Sequence, residues 1–270
     1  MTDFDDAIAW TREDKDLFTG TIPDAWLQGR TAFGGLIAAI GLRALRALVG
    51  DERPPLTVDT AFLAPLGPGP ARAFVTILRA GRHVTQAEAR IVQDTSERAR
   101  VSGVFGQARP SKLEVPAARA APSSAPERAF DFTRGVPGGP VPKNIPRFVQ
   151  NMELRWCEGS PPFSGGAEAV TGGYCRHRTR ASGVEALLAL LDAWPAPTLA
   201  LASRPLVASS VRWVAHVVED MSLQADEYCW LRSRTVHAGG GYTTMIADLH
   251  GPDGRLLLWG EQLVAIFDDA

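Results

Sequence analysis

This sequence lacks several features that would place it in a familiar class of protein, and the first is an excess of positive or negative charge. The chain of 270 residues carries 28 lysine and arginine residues against 30 aspartate and glutamate residues, a formal net charge of −2. No block of basic residues occurs, so nucleic-acid binding has no electrostatic support and no nucleic-acid partner is expected. No apolar run approaches the ~18 residues of a membrane span, so no span is expected either.

Cysteine is scarce as well. Cys157, Cys175 and Cys229 are odd in number and widely spaced, which favours reduced thiols over a disulfide framework or a zinc site. The N-terminus, MTDFDDAIAWTREDKD, is acidic and has no apolar signal region, which argues against secretion. Together these features predict a cytoplasmic protein.

The motifs of several large enzyme classes are missing. GxSxG, HExxH, CxxC and GxxxxGK[ST] do not occur in the chain, and these patterns carry nucleophile, zinc, redox and phosphate chemistry. The five histidines show no metal-ligand spacing. No metal and no cofactor are therefore expected.

A run rich in Pro, Ala, Ser and Gly divides the chain. It covers residues 109–147, lacks clean periodicity and is predicted to be a connection. On each side of it a helix pattern, at 31–50 and again at 181–194, is followed by several alternating strand patterns. The sequence therefore predicts an N-terminal domain at 1–108, a linker, and a C-terminal domain at 148–270.

This order of elements also predicts the fold class. A helix followed by several antiparallel strands indicates a curved sheet packed on that helix, which is the hotdog arrangement. Because the order occurs twice, the predicted class is α+β: a tandem (double) hotdog of two antiparallel sheets, each wrapped on a long central helix. The alternation of strand and helix that a dinucleotide-binding fold requires is absent.

The stretch EALLALLDAWPAPT, residues 185–198, holds one carboxylate at the end of an apolar helix. Ser182 is the predicted N-cap, Glu185 has capping-box spacing, and Pro195 predicts the end of the helix. On statistics alone, Asp192 is a solvated acid at a helix end. The apolar surroundings point to the alternative, a half-buried carboxylate with a raised pKa that acts as a general base.

Further candidates lie on two strand patterns of the second half. In LLLWGEQLVAIF, alternation puts Gln262 on a mainly apolar face beside Gly260, and a buried amide needs hydrogen-bond partners. A structural role for this glutamine fits the pattern as well as an active-site role. In VASSVRWV, only one of Ser209 and Ser210 can face the core, and the period does not tell which.

Taken in order, these motifs resemble the acyl-CoA thioesterase II (TesB-like) family of double-hotdog thioesterases. RTAFGGLIAAIGLRAL resembles the family's first helix, and LRAGRHVTQAEARIVQDTSERA resembles its Arg-x-Gly strand pair. ALLALLDAW and DGRLLLWGEQLVAIF resemble the regions that hold its catalytic aspartate and glutamine. The likeness covers almost the whole chain except 109–147, and it implies that Asp192 and Gln262 are catalytic.

The third catalytic residue of the family is a threonine or serine on the strand after the helix. Counting from Trp213 places Val207 at that position, so this chain departs from the pattern. Either Ser209 or Ser210 supplies the hydroxyl, or the hydroxyl is absent and the activity is weak or changed. The first half ends its helix with arginines where the second half has its carboxylate. One site per chain, built mainly from the second half, is therefore expected.

The resemblance implies hydrolysis of acyl-CoA by a water held between the aspartate, the glutamine and a serine, in a homo-oligomer. Gly34 and Gly35 are expected to bind the oxyanion. Arg79 and Arg82, in a basic cluster at a predicted turn, are expected to contact the CoA phosphates, although the cluster also suits a solvated turn. Two other functions stay open: a hotdog hydratase or dehydratase acting on an acyl thioester, and a non-catalytic acyl-thioester binding protein.

Overall fold

Strands dominate the secondary structure. The computed structural model describes residues 2–117, 119–120, 125–134, 145–224 and 226–268. In these ranges the helices are α1 (Phe4–Ala7), α2 (Gly34–Val49) and α3 (Gly183–Leu191), with short 3-10 helices at Asp24–Trp26, Pro126–Arg128, Arg147–Asn151 and Pro197–Leu201. The strands are β1 (Thr11–Asp14), β2 (Leu17–Ile22), β3 (Leu27–Gln28), β4 (Thr31–Ala32), β5 (Pro55–Phe62), β6 (Gly69–Ala80), β7 (Val84–Gln93), β8 (Ser96–Gly106), β9 (Phe130–Asp131), β10 (Met152–Glu158), β11 (Val170–His177), β12 (Val207–Val217), β13 (Cys229–Gly239), β14 (Tyr242–His250) and β15 (Leu256–Phe267). None of the described helices is long and apolar enough to cross a membrane.

One antiparallel sheet of 13 described strands runs through both halves, in the order β1-β2-β6-β7-β8-β5-β12-β15-β14-β13-β11-β10-β9. The halves meet where β5 pairs with β12, with Thr60 and Trp213 as Cα partners. The expectation of two separate sheets is corrected by this pairing. Each half would otherwise leave a strand edge with unpaired backbone groups, and the two edges satisfy each other.

The helices α2 and α3 pack against each other in opposite directions. A Cβ on Gly35 would lie 2.9 Å from the Cα of Ala189, so the close approach depends on this glycine. Towards the other end of α2, Arg46 forms an ion pair of 2.8 Å with the buried Glu185. The helix α3 has nine residues, and it is shorter than the long helix expected because Pro195 follows closely.

The predicted capping box at the start of α3 does not form. Ser182 is the N-cap, but its side chain makes no capping hydrogen bond. Its backbone N–H and its hydroxyl donate instead to the carboxylate of Asp5, at 2.9 and 3.0 Å, and Glu185 accepts from Arg46. Tertiary partners therefore replace the local pattern, and they tie the N-terminal segment and α2 to α3.

A buried ion cluster lies among the strands of the second half. Glu153 on β10 is 2% exposed and pairs with three guanidinium groups, those of Arg155, Arg176 and Arg178. Burial alone would raise the pKa of Glu153, but hydrogen bonds from Arg176, Tyr228 and Arg155 outweigh it and lower the pKa to about 2. The cluster therefore keeps this carboxylate ionised.

The predicted connection at 109–147 is described only in part. Its residues 118, 121–124 and 135–144 lie outside the described ranges. Within the described part, Phe130–Asp131 forms β9 and pairs with β10 at the end of the sheet. This segment of the connection is therefore attached to the second half.

Candidate active site

Asp192 is the C-cap residue of α3 and lies beside the start of α2. Every residue from Val184 to Leu191 is buried, so the helix brings its last side chain to the interior. Asp192 itself is half-buried. Its Oδ2 lies 2.7 Å from the point that a Cβ on Gly34 would occupy. A side chain at residue 34 would therefore displace the carboxylate from this position.

Gln262 reaches the same place from β15. The alternation along this strand buries Gly260, Gln262 and Val264 and exposes Glu261, as the sequence pattern predicts. Gln262 is 8% exposed. A Cβ on Gly260 would lie 3.0 Å from the indole nitrogen of Trp213, so the glycine lets the tryptophan pack closely beside the glutamine.

A β-bulge in β12 decides which serine joins them. The register with β15 slips between Ser210 and Arg212, so Val211 is an extra residue on β12. An extra residue reverses the alternation of a strand, and Ser210 therefore shares the inward face with Trp213, three positions later. Ser209 is exposed.

Three side chains form one hydrogen-bonded group, the Asp–Gln–Ser group of Asp192, Gln262 and Ser210. The Nε2 of Gln262 donates to Oδ1 of Asp192 at 3.1 Å and to Oγ of Ser210 at 2.7 Å. Both hydrogens of the amide are used in this way. The amide oxygen of Gln262 and the hydroxyl proton of Ser210 can then bind a further partner, such as a water molecule.

The carboxyl of Asp192 titrates close to neutrality. Burial raises its pKa to about 7 by penalising the charged form, against the lowering effect of hydrogen bonds from Gln262 and from the backbone of Gly35. Among the described residues, no charged side chain is a cause of this shift. At neutral pH such a group can both accept and return a proton, as general acid–base catalysis requires.

Residues of the first half complete the surroundings of Asp192. The predicted pair Gly34 and Gly35 begins α2, and Phe62 ends β5 with its ring Cζ 3.2 Å from the Cβ position of Gly34. The sequence reasoning missed Phe62, because only the pairing of β5 with β12 brings it to the site. Its one local signal is that it shares an alternating face with the buried Thr60. Binding of an oxyanion by the two glycines stays a prediction.

The predicted basic cluster of Arg79 and Arg82 lies away from the Asp–Gln–Ser group. Arg53, which follows α2, donates hydrogen bonds to the carbonyl oxygens of Gly81 and Arg82 at 3.0 and 3.2 Å. The cluster is therefore near the C-terminal end of α2, and a helix of 16 residues separates its two ends by ~24 Å. Arg79 and Arg82 are exposed, and their contact with CoA phosphates stays a prediction.

Metal ligands are not grouped in the part of the chain that the structure describes. No set of three or more His, Cys, Asp or Glu side chains there could hold a metal ion.

Solved structures define the class of fold. The chain is similar to a conserved protein of unknown function with a hot dog fold from Alicyclobacillus acidocaldarius, with 23% identity, a TM-score of 0.82, and coverage of 99% of this chain and 98% of that one. It is also similar to the acyl-CoA thioesterase II TesB2 of Mycobacterium marinum, with 16% identity, a TM-score of 0.74 and coverage of 98% of each chain. A tesB protein of Mycobacterium avium subs paratuberculosis gives 16% identity, a TM-score of 0.74 and coverage of 97% of each chain. The protein therefore has a hotdog fold.

Family models then identify the protein more closely. The model of the acyl-CoA thioesterase N-terminal domain matches residues 22–106, and that of the acyl-CoA thioesterase C-terminal domain matches residues 117–266. The chain belongs to the acyl-CoA thioesterase family, and it is an enzyme that hydrolyses acyl thioesters. Among curated proteins, no significant match to the sequence is found.

Proposed function

We propose that this protein hydrolyses acyl-CoA to the free acid and CoA with a water molecule activated by Asp192. The observation that carries the proposal is the hydrogen-bonded Asp–Gln–Ser group beside the start of α2. A carboxyl pKa of about 7 suits a general base that works at neutral pH. Thioesters are reactive toward water, so the proposal needs no covalent nucleophile and no cofactor.

The proposed reaction begins with Asp192 ionised. The water oxygen bonds to the thioester carbonyl carbon while Asp192 accepts a proton from that water. Gln262 uses both N–H groups to hold Asp192 and Ser210, so its role is to position them. Ser210 donates its hydroxyl hydrogen to the water oxygen and orients it. When the tetrahedral intermediate collapses, the C–S bond breaks, and the proton on Asp192 passes to the departing sulfur.

The oxyanion is assigned to the first turn of α2. The first N–H groups of a helix have no partner within the helix, and the helix dipole favours negative charge there. Gly34 and Gly35 occupy this turn and present no side chain that would block a substrate. The N–H of Gly35 already donates to Asp192, so in this proposal Gly35 holds the base and the N–H of Gly34 binds the oxyanion at the same helix end.

The wider setting is also a proposal. We propose a division of the chain at 1–108, 109–147 and 148–270, and a homo-oligomer that acts in lipid metabolism in the cytoplasm without a nucleic-acid partner. The amino-acid composition supports the cytoplasmic location, and the near-neutral net charge supports the absence of a nucleic-acid partner. Light scattering on the purified protein measures the oligomeric state directly.

A thiol-release assay with acyl-CoAs of different chain lengths tests the function. We expect release of CoA in proportion to the enzyme added, with a preference among acyl groups. Hydration of an enoyl-CoA without thiol release would show a hydratase instead. Tight binding of acyl-CoA without turnover would show a binding protein, and either of these results would overturn the proposal.

The two adjacent serines give a matched test of the site. Ser210→Ala is expected to lower kcat by roughly 100-fold, because its hydroxyl both accepts from Gln262 and orients the water. Ser209→Ala removes the same group from an exposed position one residue away and should retain wild-type kcat. Equal kcat values for the two variants would contradict the assignment of Ser210.

A further inference from the structure

Phe62 is an aromatic side chain from the first half at the gap beside Asp192. The Cζ and Cε1 of its ring lie 3.2 and 3.4 Å from the Cβ position of Gly34, and Oδ2 of Asp192 lies 2.7 Å from that same position. The edge of the ring and the carboxylate oxygen therefore flank one small volume, which exists because residue 34 is glycine.

The sheet brings Phe62 close to the serine as well. Phe62 follows Ala61, which is paired with Arg212 on β12, so it lies beside the bulge at Val211. The bulge is the feature that turns Ser210 inward. Phe62 thus stands, in backbone register, next to the part of β12 that carries the serine, while its ring lies beside the carboxylate.

The exposure of Phe62 distinguishes it from an ordinary core residue. It packs against the core but is only half-buried, whereas Thr60, two residues earlier on the same face, is fully buried. A partly exposed aromatic ring beside a reactive carboxylate offers an apolar surface to a ligand and limits the access of bulk water.

We propose that Phe62 is a positioning and specificity-determining residue: its ring supports the part of the acyl group next to the thioester carbonyl and shields Asp192 from bulk water. This inference rests on the proposed function. Among the described residues, Asp192 accepts hydrogen bonds from the amide of Gln262 on β15 and the backbone of Gly35 on α2, and the ring of Phe62 on β5 lies across the Gly34 gap from it. The ring is the apolar member of this set, so its removal should admit water to the carboxylate.

Two measurements on Phe62→Ala test the inference, with Phe62→Leu as the conservative variant and Leu63→Ala as the control. Leu63 is the next residue and is 55% exposed. The carboxyl titration of Asp192, followed by infrared difference against Asp192→Asn without substrate, should move down by about half a pH unit or more in Phe62→Ala. It should return towards the wild-type value in Phe62→Leu and stay unchanged in Leu63→Ala.

The second measurement compares kcat and KM over acyl-CoAs with and without branching next to the carbonyl. Phe62→Ala should raise KM for the unbranched substrates several-fold and shift the preference towards bulkier acyl groups, whereas a purely structural role would lower kcat for all of them equally. An unchanged titration would overturn the shielding role, and an unchanged preference would overturn the specificity role. If no acyl-CoA is hydrolysed by the wild type, the proposed function fails, and the titration still decides whether Phe62 shields Asp192.

Discussion

Replacing Asp192 with asparagine is expected to lower kcat/KM for acyl-CoA hydrolysis by about a thousand-fold. Loss of a positioned general base costs roughly 10²–10⁴ in rate, and asparagine keeps the shape and the oxygen that accepts from Gln262. In the wild type, kcat/KM should rise with pH as the carboxyl ionises and level off above its pKa of about 7. The variant should lose this rise, and a pH series of thiol release measures both effects.

The control for this variant is Glu261→Gln, which removes an exposed carboxylate next to Gln262. It should keep the wild-type rate and pH profile. A loss of less than tenfold in Asp192→Asn, or an unaltered pH profile in that variant, would contradict the role of Asp192 as the base.

Asp192→Asn should also stabilise the folded protein against unfolding at alkaline pH. The pKa of Asp192 is raised in the folded state from an ordinary value of 3.8 to about 7, so ionisation costs folding free energy as the pH rises through this range. A shift of three pH units corresponds to at most ~4 kcal/mol, and solvent around the half-buried side chain reduces it. We expect Asp192→Asn to gain about 1–3 kcal/mol at pH 8 and nothing below about pH 4 in urea unfolding.

Replacing Glu153 with glutamine is expected to destabilise the fold by about 3 kcal/mol at pH 7. The change removes the carboxylate partner of Arg155 and Arg176, whereas Arg178 keeps Asp131. Because these guanidinium groups are only partly buried, the loss lies at the low end of the roughly 3–5 kcal/mol for breaking a buried ion pair. The pKa of Glu153 is lowered from 4.5 to about 2, so its contribution is present above about pH 4.5 and is lost as the pH falls towards 2.

Urea unfolding of Glu153→Gln at pH 7 and at lower pH measures this effect. The matched control is Glu158→Gln on the same strand, where the partner Arg232 is 56% exposed and an exposed ion pair contributes less than ~1 kcal/mol. Glu153 lies outside the Asp–Gln–Ser group, so the folded variant should keep its kcat. Equal stability losses in the two variants would contradict the special role of the buried cluster.

Asp192 and Gln262 could be singled out from the sequence because each breaks a local pattern, one at the end of an apolar helix and the other on an apolar strand face. The choice between Ser209 and Ser210 could not be made in this way. The bulge at Val211 reverses the alternation on which such a choice depends. No residue pattern in VASSVRWV predicts this bulge. Local periodicity therefore identifies intruding polar residues better than it identifies the direction in which they point.

The other differences between the predicted and the observed structure arise from contacts between residues far apart in the sequence. The capping box failed because Ser182 and Glu185 found partners in Asp5 and Arg46, which are more than a hundred residues away in the chain. The single sheet and the position of Phe62 both depend on the pairing of β5 with β12. Such pairings follow from the packing of the whole molecule, and a window of neighbouring residues does not contain them.

The pairing of β5 with β12 limits how far one half of the chain can change in sequence without the other. Gly34 and Phe62 come from one half and Asp192 from the other, and all three border the same small volume. If one half were replaced by that of a related enzyme, the new half would have to fold correctly and also present a surface that fits the other half around this volume. Gly34 and Phe62 on one side and Asp192 on the other would therefore have to evolve together, and the candidate site is inherited only with both halves.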